Sequence, residues 1–169
     1  QRAIAGGLAG RGDHAGVRLR AARHRHPQQP PGVFIAGRFG GMGLIRNALE
    51  QGRQAVDVIA ERKRVVAAPN VLDLVIVGAG PAGFSASLAA TARGLKFVTV
   101  EQESLGGCVF QYPRGKLVMT APADLPLVGK VRFRNTSKEE LLAFWQEVER
   151  KTGLQIRYRH HVEKIGQTA

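Results

Sequence analysis

Three glycines and one acid define the chemistry this sequence could support. Gly78, Gly80 and Gly83 stand in the run Val75-Ile-Val-Gly-Ala-Gly-Pro-Ala-Gly83, and Glu101 follows 18 residues after the last of them. A glycine at 78 permits a tight turn. One at 80 leaves the main chain open to a closely approaching group, and one at 83 lets a helix lie against a strand. A helix starting there aims unpaired N–H groups and the positive end of its dipole at an anion. A carboxylate about 20 residues further on suits a ribose hydroxyl and repels a 2′-phosphate. The combination points to a dinucleotide with a free ribose, FAD or NAD rather than NADP.

The elements around these residues must hold them together. Val71 to Val77 is an apolar run broken by one aspartate, the pattern of a strand buried on both faces of a parallel sheet. Phe84 to Ala92 reads as a helix of small residues, stopped by Gly94. Lys96 to Val100 reads as a second strand ending at Glu101. A glycine run alone is weak evidence; strand, glycine turn, helix, strand and acid in that order is specific.

A similar unit lies upstream. Val33 to Ala36 reads as a short strand, Gly37 to Gly43 as a glycine-rich turn, and about Met42 to Glu61 as a helix. Leu44, Ile45, Ala48, Leu49, Ala55, Val56 and Ile59 form its apolar face, interrupted by Gly52. Residues 63–70 connect the two units.

Downstream of Glu101, residues 102–116 read as loop and Leu117 to Thr120 as a short apolar piece. Pro122, Pro126 and Gly129 are expected to keep residues 121–135 irregular. Thr136 with Glu139, or Ser137 with Glu140, has capping-box spacing. The helix that follows runs to about Thr152 with Leu141, Leu142, Trp145 and Val148 inward, and Gly153 ends it. Leu154 to Tyr158 reads as a third strand, and His160 to Ile165 as the start of a fourth.

Composition narrows the function classes. The chain of 169 residues is long enough for one domain with a core, and its net charge is +12. Six arginines against Asp13 in residues 1–32 account for much of that excess, and no aromatic-interleaved basic motif accompanies the rest. Nucleic-acid binding is therefore not expected. No apolar run reaches the roughly 20 residues that span a bilayer, so no membrane is expected either. The single cysteine excludes an internal disulfide and a CxxC pair, which fits a reducing, cytoplasmic setting. Residues 1–32 lack a signal-peptide core. Rich in Gly, Ala, Arg and His, with Pro27, Pro30 and Pro31, they read as linker or disordered chain. His14, His24 and His26 are not spaced as a metal site, and no metal ligands are assigned.

The fingerprint with Glu101, Gly106-Gly107 and Gln111-Tyr-Pro113 resembles the FAD-binding half of a pyridine nucleotide-disulfide oxidoreductase. Within that superfamily it is most similar to thioredoxin-reductase-like flavoproteins lacking CxxC, including the bacillithiol disulfide reductase type. The likeness covers about residues 71–165. It implies an α/β fold: a Rossmann-like FAD-binding domain with a parallel sheet. It also implies that Gly78, Gly80, Pro81, Ala82 and Gly83 line the pyrophosphate, Glu101 the ribose and Gln102 the adenosine region. Gly106, Gly107 and Gln111 would approach the isoalloxazine side. The flavin, not a side chain, would carry the redox step, so no catalytic residue is assigned. Cys108 is expected to be a small half-buried residue, Tyr112 to anchor its loop or stack near the flavin, Phe144 and Trp145 to lie in the core, and His160 and His161 at the surface.

Val33-Phe-Ile-Ala-Gly37 with Gly40-Gly-Met-Gly43 resembles the other FAD motif of these enzymes, normally near their C-terminus. That motif ends in Gly-Asp or Gly-Glu, whereas Arg38 stands here in place of the acid. The segment is expected either to be the tail of an upstream flavoprotein-like module or to pack beside the Val71 strand as a permuted version of the C-terminal piece. A second complete set of glycines, strand and acid, as the NAD(P)H-binding domain of the complete enzyme would carry, is absent from the 169 residues. The expectation is an incomplete module, a fragment inactive alone, with the organisation 1–32 linker, 33–70 second motif and connector, 71–169 FAD-binding module. The partners expected are FAD, an unidentified electron acceptor, and a second copy or the rest of a longer polypeptide. The alternative is a non-catalytic dinucleotide-binding or sensing module.

Overall fold

Strands of three to five residues hold their shape only by pairing, and five of them pair here into one sheet. The computed structural model describes residues 3–6, 32–37, 44–61, 70–119 and 121–166. In chain order its elements begin with β1 (Ala3–Gly6), β2 (Val33–Ile35), α1 (Leu44–Glu61), β3 (Leu74–Val77), α2 (Pro81–Ala92) and β4 (Phe97–Glu101). There follow a 3₁₀ turn (Gly107–Val109), β5 (Leu117–Met119), β6 (Ala123–Leu125), β7 (Gly129–Val131), β8 (Thr136–Ser137), α3 (Lys138–Thr152) and β9 (Ile156–Tyr158). The sheet order is β2-β1-β3-β4-β9, and every pairing in it is parallel. This is the α/β, Rossmann-like architecture the alternation of strand and helix calls for.

Two segments depart from the sequence reading of linker and irregular chain. Ala3–Gly6 is a strand, not linker: Ile4 aligns with Val33 on one side and Val75 on the other. Only one of its four residues is β-branched, so local propensity does not mark it. Its conformation comes from pairing on both edges. Residues 7–31, with the three N-terminal histidines, lie outside the described residues. Residues 121–135 are not irregular throughout, because β6 and β7 pair as an antiparallel hairpin. Pro122 and Pro126 flank β6 without entering it, and Gly129, at φ +82°, opens β7.

His160 to Ile165 does not form a fourth strand. β9 is the edge of the sheet among the described residues, so nothing lies beyond it to pair with, and the chain instead runs on without regular structure.

Helix α2 begins three residues earlier than its apolar run suggests. Pro81 occupies the first turn, where its fixed φ helps and its missing N–H costs nothing. The helix is buried on all sides, nine of its twelve residues having little or no exposure. One face joins Leu74, Ile76, Phe34, Ala55 and Val56 through Ala86, Ala89 and Ala90. The other joins Trp145 and Leu141 of α3 through Phe84 and Leu88, with the Phe84 and Trp145 rings 5.3 Å apart. Phe144 is partly buried at the rim of that cluster, edge-on to Phe133.

The apolar face expected for α1 is the buried one: Ile45, Ala48, Leu49, Ala55 and Val56 are inside, and Gly52 is buried with them. Helix α3 starts at a complete capping box. The Ser137 Oγ accepts the Glu140 N–H, while the Glu140 carboxylate accepts the Ser137 N–H at 2.7 Å. Gly153, at φ +66°, closes the other end. Among the described residues no helix is long and apolar enough to cross a membrane.

Candidate functional site

β3 ends at Val77, and the chain must then leave the sheet and start α2 within three residues. Gly78 makes that possible at φ +97°, its N–H donating to the Val100 carbonyl at 2.8 Å. A side chain at 83 has no room: a Cβ there would lie 1.8 Å from the Gly78 carbonyl oxygen. Around Gly80 the space is open, and a Cβ at that position would find its nearest neighbour, the Gly106 carbonyl oxygen, 3.7 Å away. No side chain caps the N-terminus of α2. The first-turn N–H groups of Ala82 and Gly83 therefore face the space in front of the helix with the dipole behind them.

That space is a cleft of about 600 Å³, within the usual range for small-molecule sites. It opens at the C-terminal ends of the strands. β1 and β2 lie to one side of β3, and β4 and β9 to the other. A parallel sheet binds ligands where its strand order reverses in this way. Gly78, Gly80, Pro81, Ala82, Gly83, Glu101, Gln102, Gly107 and Gln111 all line the cleft.

Glu101 is buried at the end of β4, 5% exposed. Its Oε2 accepts the Ala79 N–H at 2.6 Å and its Oε1 accepts the Glu103 N–H at 2.9 Å. Two main-chain bonds fix the carboxylate toward the glycine turn. A carboxylate has about four acceptor sites, so two remain for the hydroxyls of a ribose.

Gly106 serves differently. It is not among the cleft-lining residues; its N–H donates to the Ala79 carbonyl at 3.0 Å, and a Cβ on it would lie 2.4 Å from Leu142 Cδ2. It joins the glycine turn to α3. Gly107 presses its backbone on Gly80, with a would-be Cβ 3.3 Å from the Gly80 Cα. Gln111 lines the far side, its amide bonded to Glu103 at 3.2 Å.

Several cleft residues lie outside the glycine fingerprint. Ala36, Gly37, Ile45 and Ala48 bring β2 and α1 to one wall. His160, His161 and residues 162–165 supply the rim beside Glu101. The two histidines are exposed, as expected of surface residues, yet both reach the site. The His160 N–H donates to the Glu101 carbonyl at 3.0 Å, and His161 Nδ1 meets Gln102 Oε1 at 3.0 Å. Only the irregular path after β9 puts them there, and no periodicity in the sequence announces it.

Cys108 is half-buried and lines the cleft beside Tyr112, whose ring carries the Lys116 ammonium 4.4 Å from its centre. Burial and the neighbouring Cys108 push the Tyr112 hydroxyl above its ordinary pKa. Lys138 Nζ donates to the Phe110 and Tyr112 carbonyls at 2.9 and 2.6 Å, anchoring this loop to α3. No group of three His, Cys, Asp or Glu side chains among the described residues could hold a metal. Arg38 and Gly40 to Gly43 lie outside the described residues.

These features match what a pyrophosphate and a ribose need: bare main chain, an uncapped helix start and a fixed carboxylate. The model of the pyridine nucleotide-disulphide oxidoreductase family matches residues 75–169, more than half of the chain. No curated protein and no solved structure matches it. The chain belongs to the pyridine nucleotide-disulphide oxidoreductase family.

Proposed function

We propose that the chain is the FAD-binding module of a thioredoxin-reductase-like, NAD(P)H-dependent flavoprotein oxidoreductase working in the cytoplasm. It is inactive alone, the nicotinamide being bound elsewhere in the complete enzyme. One observation carries this reading: the glycine turn, the uncapped start of α2 and the Glu101 carboxylate all face one cleft. FAD, when bound, would supply the redox chemistry between a nicotinamide and an acceptor. The chain binds and orients. The Ala82 and Gly83 N–H groups hold the pyrophosphate, aided by Gly78, Gly80 and Pro81. Glu101 accepts the ribose hydroxyls and excludes a 2′-phosphate by charge. Gln102, tied to His161, borders the adenosine. Gly107 and Gln111 border the isoalloxazine side, and Gly106 braces that loop from behind.

Titration of the purified chain with FAD, NADH and NADPH, followed by an NADH-driven dye-reduction assay, tests this. FAD is expected to bind most tightly and NADPH least, with no dye reduction by the chain alone. NADH binding without FAD uptake would favour a non-catalytic dinucleotide-sensing module instead.

A further inference from the structure

The cleft has a wall that the fingerprint does not supply. Gly37, at the exit of β2, lies against the first turn of α2: a Cβ on it would come within 3.1 Å of the Ala82 Cβ. Its φ of +95° is a conformation that glycine tolerates and other residues resist. What holds it there is Gln51, two turns into α1, whose Oε1 accepts the Gly37 N–H at 2.8 Å. The next residue brings α1 close enough for this bond. Gly52 is buried on the Ala82 carbonyl, and a Cβ at 52 would lie 2.0 Å from that oxygen. Gly37, Gln51 and Gly52 therefore converge on Ala82, the residue whose N–H opens toward the anion.

We infer that Gln51 is a positioning residue of the dinucleotide site: it fixes Gly37 against Ala82, so that residues preceding the fingerprint set the shape of the pyrophosphate end. The inference rests on the dinucleotide reading above. Gly37 is half-buried, so water can replace the lost partner of its N–H and the fold loses little when Gln51 is changed. Gly37, freed from α1, then samples positions that no longer match the ligand, and the cost falls on binding.

The test is FAD titration of the full chain by flavin fluorescence, in wild type, Gln51→Met, Gly52→Ala and Gln54→Met, with thermal midpoints measured without FAD. Gln54 lies on the same helix but bonds to Glu50 instead of Gly37 and serves as the control. Gln51→Met is expected to weaken FAD binding roughly fivefold to tenfold, as for one hydrogen bond, at an unchanged midpoint. Gly52→Ala should weaken it more, and Gln54→Met should match wild type. Equal FAD affinity in wild type and Gln51→Met overturns the inference and leaves the dinucleotide reading standing. A fall in midpoint that accounts for the lost affinity overturns it too, by assigning Gln51 to stability. Wild type that takes up no FAD overturns both.

Discussion

Glu101 receives two main-chain N–H groups, and this explains how an acid can stay buried at the end of a strand. A carboxylate removed from water needs its lone pairs satisfied, and the Ala79 and Glu103 N–H groups do so by charge-assisted bonds. The same bonds aim it at the turn. Glu101→Gln keeps the shape but leaves one oxygen in place of two, so one N–H meets an amide NH₂. FAD affinity should fall about tenfold to a hundredfold, the range for a charge-assisted hydrogen bond, in an equilibrium titration. Unaltered affinity would remove Glu101 from the site. At this scale the sequence was informative. Gly78 makes the tight turn and Gly83 the close packing that their spacing implies, because each role depends on the absence of a side chain, and Glu101 lies buried beside that turn. Gly106 shows the limit: its contact with Leu142 is made across the fold, and nothing adjacent in sequence signals it.

Helix α3 carries its own start signal, and its cap is open to a direct test. Of the two spacings that fit a capping box, the structure uses Ser137 and Glu140. Backbone and side-chain hydrogen bonds from Ser137 hold the Glu140 carboxyl below its ordinary pKa. A depressed folded pKa means that the cap contributes fully above the unfolded value and is lost as pH falls through the folded one. Ser137→Ala should destabilise the chain by about 1 kcal/mol in denaturant unfolding near neutral pH, the usual cost of an N-cap. The variant should also lose less on acidification than wild type. Equal acid sensitivity in both would show that the box contributes nothing. Elements with local signals, α1, α2, α3 and β3, were legible in this way. β1, the β6–β7 hairpin and the path of residues 160–165 were not, because their conformations follow from partners distant in the chain.

The main sheet of the described residues is assembled from two stretches of chain. β3, β4 and β9 run out to one side of the crossing point and β1 and β2 to the other, with α1 packed on α2 beside it. The upstream strand β2 joins the same sheet but does not pack beside the Val71 strand as expected, because β1 lies between β2 and β3. The fingerprint contributes the glycine turn and the acid that line the cleft. The upstream segment contributes the opposite wall, through Ala36, Gly37, Ile45 and Ala48. Single-residue chemistry could be read from the sequence; the convergence of both stretches on Ala82 could not, since it requires the sheet order. The most direct measurement is the flavin content of the purified, folded chain after incubation with FAD and removal of excess. A single FAD retained per chain, with flavin emission altered from that of free FAD, is predicted. A folded chain that emerges colourless would contradict the assignment of the cleft.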